Sequence, residues 1–190
     1  MKRPFVAIVL ILAAIGGGDL RAQRGGRPPI AVMRLASAWN DGSAIPTRYT
    51  QAGGEESPPL EWSNVPDGVV SFVLIVHDPD VPIGAGTDDM LHWLVWNIPG
   101  AARGLAGNSS RGPTLGAEMR QIGATGPYYR GPAAPADGPA HHYTFELYAL
   151  DATVDVPAVG QSPAQTRAAV VAAMAGHVRG KAVMVGLFKR

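Results

Sequence analysis

The 190-residue sequence contains no cysteine, which excludes disulfides, thiolate nucleophiles and thiolate-bound metals, and also a lipid-carrying cysteine behind an export signal. Charge is sparse: Asp, Glu, Lys and Arg make up 16% of the chain and the formal net charge is +1. No block of Lys and Arg of the kind that tracks nucleic acid or anionic lipid is present, so nothing marks a nucleic-acid partner. Internal repeats and low-complexity tracts are also missing. Long apolar runs are absent except for Phe5–Ile15, and that run falls short of the roughly 20 residues a membrane helix needs.

That one run sits where an export signal would. Lys2 and Arg3 precede it, Gly16-Gly17-Gly18 breaks it, and Leu20-Arg21-Ala22 offers a small-residue stop, so residues 1–22 are read as a signal peptide cleaved after Ala22. The expected location is periplasmic or secreted in a bacterium, with no stable membrane span after cleavage. Removal of Lys2, Arg3, Asp19 and Arg21 takes the formal charge from +1 to −1. Residues 23–29 (Gln-Arg-Gly-Gly-Arg-Pro-Pro) read as a flexible linker, and 30–190 as one domain, for which 46% hydrophobic residues suffice to build a core. The 24 glycines and 17 prolines favour many short elements joined by tight turns, hence a mainly β fold with one or two peripheral helices.

Several elements are legible. Ile30–Ala38 is expected to be a first strand, and Pro58–Trp62 an extended segment, because its prolines deny helix geometry. Val69–His77 is β-branched and aromatic almost throughout, which predicts a central strand covered on both faces and stopped by Pro79 and Pro82. In Leu91–Ile98, strict alternation puts His92, Leu94 and Trp96 on one face and Leu91, Trp93, Val95 and Asn97 on the other. Gly100–Gly126 reads as loop. Tyr143–Leu150 alternates cleanly, with Tyr143, Phe145, Leu147 and Ala149 on one side. Ser162-Pro163 starts a helix reaching about His177, with Val170 and Met174 inward, and Lys181–Phe188 is a closing strand.

Polar groups gather beside these strand ends: Asp78 and Asp80, His92, Gly131-Pro132 through Pro135, and His141-His142-Tyr143. Imidazole and backbone N–H groups can hold an anion, while a buried Asp can orient an imidazole or meet the ammonium end of a zwitterion. A small phosphorylated or zwitterionic ligand is therefore the expected partner. For Asp80 the plainer reading is turn formation, and alternation points His77 and His142 away from the site. His177 is read as complementing a helix C-terminus, and Trp39, Trp62, Trp93 and Trp96 mainly as core.

Taken in order, Ser57–Trp62, Asp78-Pro79-Asp80-Val81-Pro82, His92-Trp93, Asn97-Ile98-Pro99, Gly131-Pro132 and His141-His142-Tyr143 resemble the bacterial, Raf-kinase-inhibitor-like branch of the phosphatidylethanolamine-binding protein family, over roughly Leu35–Arg190. The resemblance implies an antiparallel two-sheet β-sandwich. It also implies a non-enzymatic pocket for phosphate or phosphorylethanolamine-like head groups, formed by Asp78, His92, Gly131, Pro132, His141 and Tyr143, with no cofactor and no metal. Departures are Met90-Leu91 where an aromatic residue often precedes the pocket histidine, Ala133-Ala134 in a thinned proline cluster, and His142 in place of an arginine. The chain also ends directly after its last strand, without the C-terminal helix of eukaryotic members.

Two other functions compete. A metal-dependent hydrolase could draw on His77, Asp78, His92 and His141, but no His-x-His or His-x-x-x-His ligand spacing is present and no Gly-x-Ser-x-Gly elbow offers a nucleophile. A protein-interaction module inhibiting an envelope protease is compatible with the resemblance, although nothing names its partner. For export, the expected outcome is that the protein recovered from a periplasmic or medium fraction begins at Gln23, which intact mass measurement checks.

Overall fold

Residues 29–190 are described by a computed structural model; the expected signal peptide, 1–22, and residues 23–28 of the expected linker lie outside the described residues. In chain order the elements are β1 (Ala31–Val32), β2 (Arg34–Ala36), β3 (Ser43–Ala44), a 3-10 turn (Thr47–Tyr49), β4 (Leu60–Ser63), β5 (Ser71–Ile83) and β6 (Asp88–Pro99). There follow β7 (Gly104–Leu105), β8 (Thr114–Leu115), β9 (Met119–Ile122), β10 (His141–Leu150), the helix α1 (Pro163–Met174) and β11 (Val178–Phe188). A large sheet runs β1-β11-β10-β5-β6-β9-β8, with β3 also pairing β11, and a small sheet runs β2-β4-β7. The long pairs are antiparallel; only the two-residue contacts of β1 and β3 with β11 are parallel.

The two sheets enclose one core and the helix covers a second. Phe72, Leu74 and Val76 of β5 and Phe145 and Leu147 of β10 pack towards the small sheet's Leu60 and Trp62. Val73 and Ile75 of β5, with Leu94 and Trp96 of β6, pack towards Val170 and Met174 of α1. This double covering explains why β5 reads as an unbroken apolar run, whereas β10, covered on one face, alternates. Helix α1 begins with a reciprocal capping box, in which the Ser162 hydroxyl accepts the Gln165 N–H and the Gln165 side chain accepts the Ser162 N–H.

Several expectations are corrected. The first strand is two: β1 joins the large sheet, β2 the small one, and buried Met33 marks the crossing. Strand β5 does not stop at its prolines. Its ladder to β10 ends at the His77–Thr144 pair, so beyond it only the β6 side needs donors, and the register slips between Asp78 and Pro82. The 100–126 segment holds β7, β8 and β9, too short to show a pattern. Helix α1 ends at Met174, whose carbonyl accepts the His177 N–H at 3.0 Å, and the His177 imidazole bonds Asp151 (Nδ1 to Oδ1, 2.8 Å). β11 starts at Val178, ahead of Lys181.

The most consequential correction lies in β6, which carries two bulges. His77 pairs with Leu91 and Val76 with Trp93, so His92 is an extra residue without a partner on β5. Its ring consequently leaves the Leu94–Trp96 face and meets Tyr143 edge-on, with ring centroids 5.0 Å apart. The second bulge, between the Leu74–Val95 and Phe72–Ile98 pairs, holds Asn97 at φ 56°. Asn97 tolerates that left-handed backbone and clamps the chain after β10, accepting the Val154 N–H at 2.8 Å and donating to the Val154 carbonyl at 3.0 Å. Asn97→Ala is expected to lower stability by about 2–3 kcal/mol from two lost hydrogen bonds and the backbone cost, and Asn97→Gly by less, since glycine recovers the backbone part. Urea denaturation of the three proteins checks the order.

Candidate functional site

The site assembles where the β5–β10 ladder ends. Asp78, the first residue past that ladder, is 2% exposed, and a buried carboxylate needs donors. It has two: the Asp80 N–H reaches Oδ1 at 3.0 Å, and Nδ1 of His141, the first residue of β10, reaches Oδ2 at 2.8 Å. Because a carboxylate only accepts, Nδ1 of His141 carries the proton and Nε2 is left free for another partner.

His92 repeats this arrangement with a carbonyl. Its Nδ1 donates to the Arg130 carbonyl at 2.7 Å, while the Arg130 N–H donates back to the His92 carbonyl at 3.0 Å. Nε2 is again without a hydrogen-bond partner among the described residues. Burial lowers the pKa of His92, opposed by the bond to Arg130 and the charge of Asp78, so at neutral pH its Nε2 is a lone-pair acceptor. Tyr143 stands between the two imidazoles and the wall: its hydroxyl accepts the Ala133 and Ala134 N–H groups, each at 3.2 Å. Burial pushes its pKa up to about 12.

These side chains open on a cavity of about 410 Å³ lined by Asp78, His92, His141 and Tyr143 together with Gln51, Arg130, Met90 and Ala133-Ala134-Pro135. Of the residues singled out from the sequence, Asp78, His92, His141 and Tyr143 thus converge. Gly131 and Pro132 do not line the cavity. They stand one layer behind the wall, their carbonyls accepting the Gln51 side-chain amide at 2.8 Å and the Gln51 N–H at 3.0 Å. A Cβ on Gly131 would sit 2.9 Å from the Tyr49 carbonyl oxygen, so the residue is glycine because two backbones touch there. Asp80 accepts the His142 N–H at 2.7 Å, which holds its carboxyl below the usual range, and His142 points outward.

Sequence reading missed Gln51, Glu55 and Arg130. The Arg130 guanidinium donates to both Glu55 oxygens at 2.9 and 3.1 Å and to Gln51 Oε1 at 2.7 Å, fixing the loop whose carbonyl holds His92. Arg130 lies beside the Gly131-Pro132 pair and could have been found there. Gln51 and Glu55 are 75 to 80 residues away and carry no local signal. Asp78, Asp80 and His141 also offer one ligand atom each within 4.8 Å of one another, although those carboxylates already accept N–H bonds.

The fold and site define a β-sandwich protein with a small pocket at its strand ends, in which a carboxylate and a carbonyl orient two imidazoles. Residues 36–189 match the sequence pattern described as phosphatidylethanolamine-binding protein, and the chain belongs to that family. A UPF0098 protein of Methanothermobacter thermautotrophicus is 40% identical over 159 residues, covering 80% of this chain and 95% of the relative. Among solved structures, a phosphatidylethanolamine-binding protein homologue of Chlamydia trachomatis is 32% identical, covers 84% of this chain and 98% of its own and superposes with a TM-score of 0.65. YbcL of E. coli is 26% identical, with a TM-score of 0.69 and coverage of 83% and 98%.

A depressed His92 pKa has a sign that can be tested. The unfolded chain takes up its proton first as pH falls through the ordinary histidine value near ~6.5, so the protein loses stability on acidification through that value down to the folded one. His92→Gln is expected to flatten this part of the slope, read as the change in urea midpoint between about pH 7.5 and about pH 5.5, and NMR titration of the wild type should place the His92 imidazole below its ordinary value.

Proposed function

We propose that this protein binds, without turning it over, a phosphate or phosphorylethanolamine-like head group in the cavity between His92 and His141. The observation that carries this reading is the tethering of both Nδ1 atoms to protein acceptors, which leaves two Nε2 atoms for a ligand. A phosphomonoester monoanion matches the pair. Its P–OH donates to the Nε2 lone pair of neutral His92, and His141 faces it from the other side of the cavity. Arg130, committed to Glu55 and Gln51, braces the cavity wall and is neutralised there by Glu55.

Binding is favoured over catalysis by the hydroxyls available. Thr125 and Tyr143 are the hydroxyl-bearing residues among the lining side chains. Tyr143 accepts two N–H groups of the wall and burial raises its pKa, which disfavours the phenolate, and Thr125 faces the Tyr128 hydroxyl at 3.2 Å and not an imidazole, so neither is an activated nucleophile. The family's own name, and that of the Chlamydia relative, describe phosphatidylethanolamine binding, which agrees with this head-group chemistry. The proposed location is the periplasm or the exterior, resting on the Lys2–Ala22 signal pattern. Among the described residues no helix is long and apolar enough to cross a membrane.

Calorimetric titration of residues 23–190 with inorganic phosphate and with phosphorylethanolamine is expected to give saturable binding. His141→Ala and His92→Ala should each weaken it by about tenfold or more, as loss of a hydrogen bond to a charged ligand implies, with circular dichroism unchanged. Absence of binding to the folded wild type would overturn the reading and favour a protein-interaction role.

A further inference from the structure

We infer that the loops beyond the Arg130–Glu55 pair form a second ligand site, separate from the histidine cavity, and that its ligand is a sugar acid, a hydroxyl-rich body carrying one carboxylate.

The site is a cavity of about 360 Å³ bounded by Glu55, Ser57, residues 108–111 and Tyr128, a size within the ~300–1,000 Å³ range of small-ligand sites. Arg130 lines the histidine cavity, and Glu55, which accepts from it at 2.9 and 3.1 Å, lines this one. No residue lines both.

The lining holds one free cation. Glu55, its one acidic residue, spends both oxygens on Arg130 and also accepts the Gly131 N–H at 3.2 Å. Arg111 has no carboxylate and no hydrogen-bond acceptor among the described residues; its guanidinium lies over Tyr128, 4.1 Å from the ring centroid. Stacking keeps the guanidinium flat and leaves the N–H fork at its edge for a carboxylate. The ring beneath packs on Gly126, where a Cβ would come within 2.4 Å of Tyr128 Cε1.

The loop that carries Arg111 is anchored in the core. Gln121, 0% exposed, donates to the carbonyls of Ser110 and Gly112, each at 2.8 Å, and accepts the Trp93 Nε1–H at 2.8 Å. A trans peptide sets a carbonyl and the following N–H on opposite sides. With the Ser110 carbonyl turned to Gln121, the Arg111 N–H points away from it, a further donor without a partner among the described residues.

Ser57 is the group that asks for a ligand. It is 3% exposed, its Oγ accepts the Ser109 N–H at 2.7 Å and its carbonyl accepts the Asn108 N–H at 2.8 Å. The hydroxyl hydrogen has no acceptor among the described residues, and a buried donor left unpaired is costly. An acceptor in the cavity satisfies it. The Ser109 and Ser110 hydroxyls and the Asn108 amide stand with it in the lining, and such groups both donate and accept, as sugar hydroxyls do. One free cation sets one negative charge, and the hydroxyl and amide lining sets a hydroxylated body. A phosphate dianion would bring a second charge with nothing to meet it.

The test is NMR titration of the protein with glucuronate and galacturonate, beside glucose and acetate as the two halves of such a ligand. A sugar acid is expected to saturate, with glucose and acetate each at least about tenfold weaker, since each lacks one set of contacts. Arg111→Gln should weaken the sugar acid by about tenfold or more, and Asn108→Gly, which suits the left-handed backbone found there at φ 56°, by about threefold. Both variants should keep the wild-type affinity for phosphorylethanolamine, whose failure to bind would touch only the head-group reading. Absence of binding by both sugar acids overturns the proposal, as does binding that survives Arg111→Gln; loss in His141→Ala instead would place the sugar in the histidine cavity. Acetate as tight as the sugar acid, or inorganic phosphate displacing it in an Arg111-dependent way, makes the loops a simple anion site and equally overturns it.

Discussion

The buried carboxylate of Asp78 is the constraint on which the site depends. A carboxylate at 2% exposure is stable only where donors replace the water it has lost, and both donors here come from backbone geometry. The turn through Pro79 supplies the Asp80 N–H, and the antiparallel register that pairs Thr144 with His77 delivers His141 from β10. Two strands are thereby joined at the level where their ladder has run out. One imidazole is also fixed in tautomer, so a demand of stability sets up the chemistry of the pocket.

The same strand alternation that turns Asp78 inward turns His77 outward, and the outer face carries its own polar chain. His77 bonds Asp89, Asp89 bonds Arg167 of α1, and Glu146 bonds Lys181 at 2.6 Å. His77 Nε2 is buried without a hydrogen bond, its nearest carboxylate oxygen being Glu146 Oε2 at 3.8 Å. This network docks the helix on the sheet just outside the pocket, so the helix and the pocket are positioned by consecutive residues of one strand, His77 and Asp78.

Much of the scaffold was legible because it obeys simple periodicities. The unbroken run in β5, the alternation in β10 and the Ser162-Pro163 start of α1 each report local physics: coverage on two faces, coverage on one, and unsatisfied N–H groups at a helix start. The face expected for His92 within its strand, though not its place among the pocket residues, differed for the opposite reason. A bulge adds one residue to one strand only, and nothing in Leu91-His92-Trp93 announces it, so strict alternation carried His92 to the wrong face. The short strands β7 to β9 escaped notice because two to four residues cannot display a period.

The sequence by itself determined the β-rich class, the absence of thiol chemistry, the histidine and aspartate inventory and the ordered motifs that identify the family, because each is a property of residue types and local spacing. The tertiary structure alone decided that Asp78, His92, His141 and Tyr143 share one cavity, that Gly131-Pro132 stands behind its wall, and that Gln51, Glu55 and Arg130 brace it. Those facts depend on strand register, on one bulge and on contacts across 75 or more residues, and such long-range pairings are settled by packing of the whole core, which no window of sequence contains.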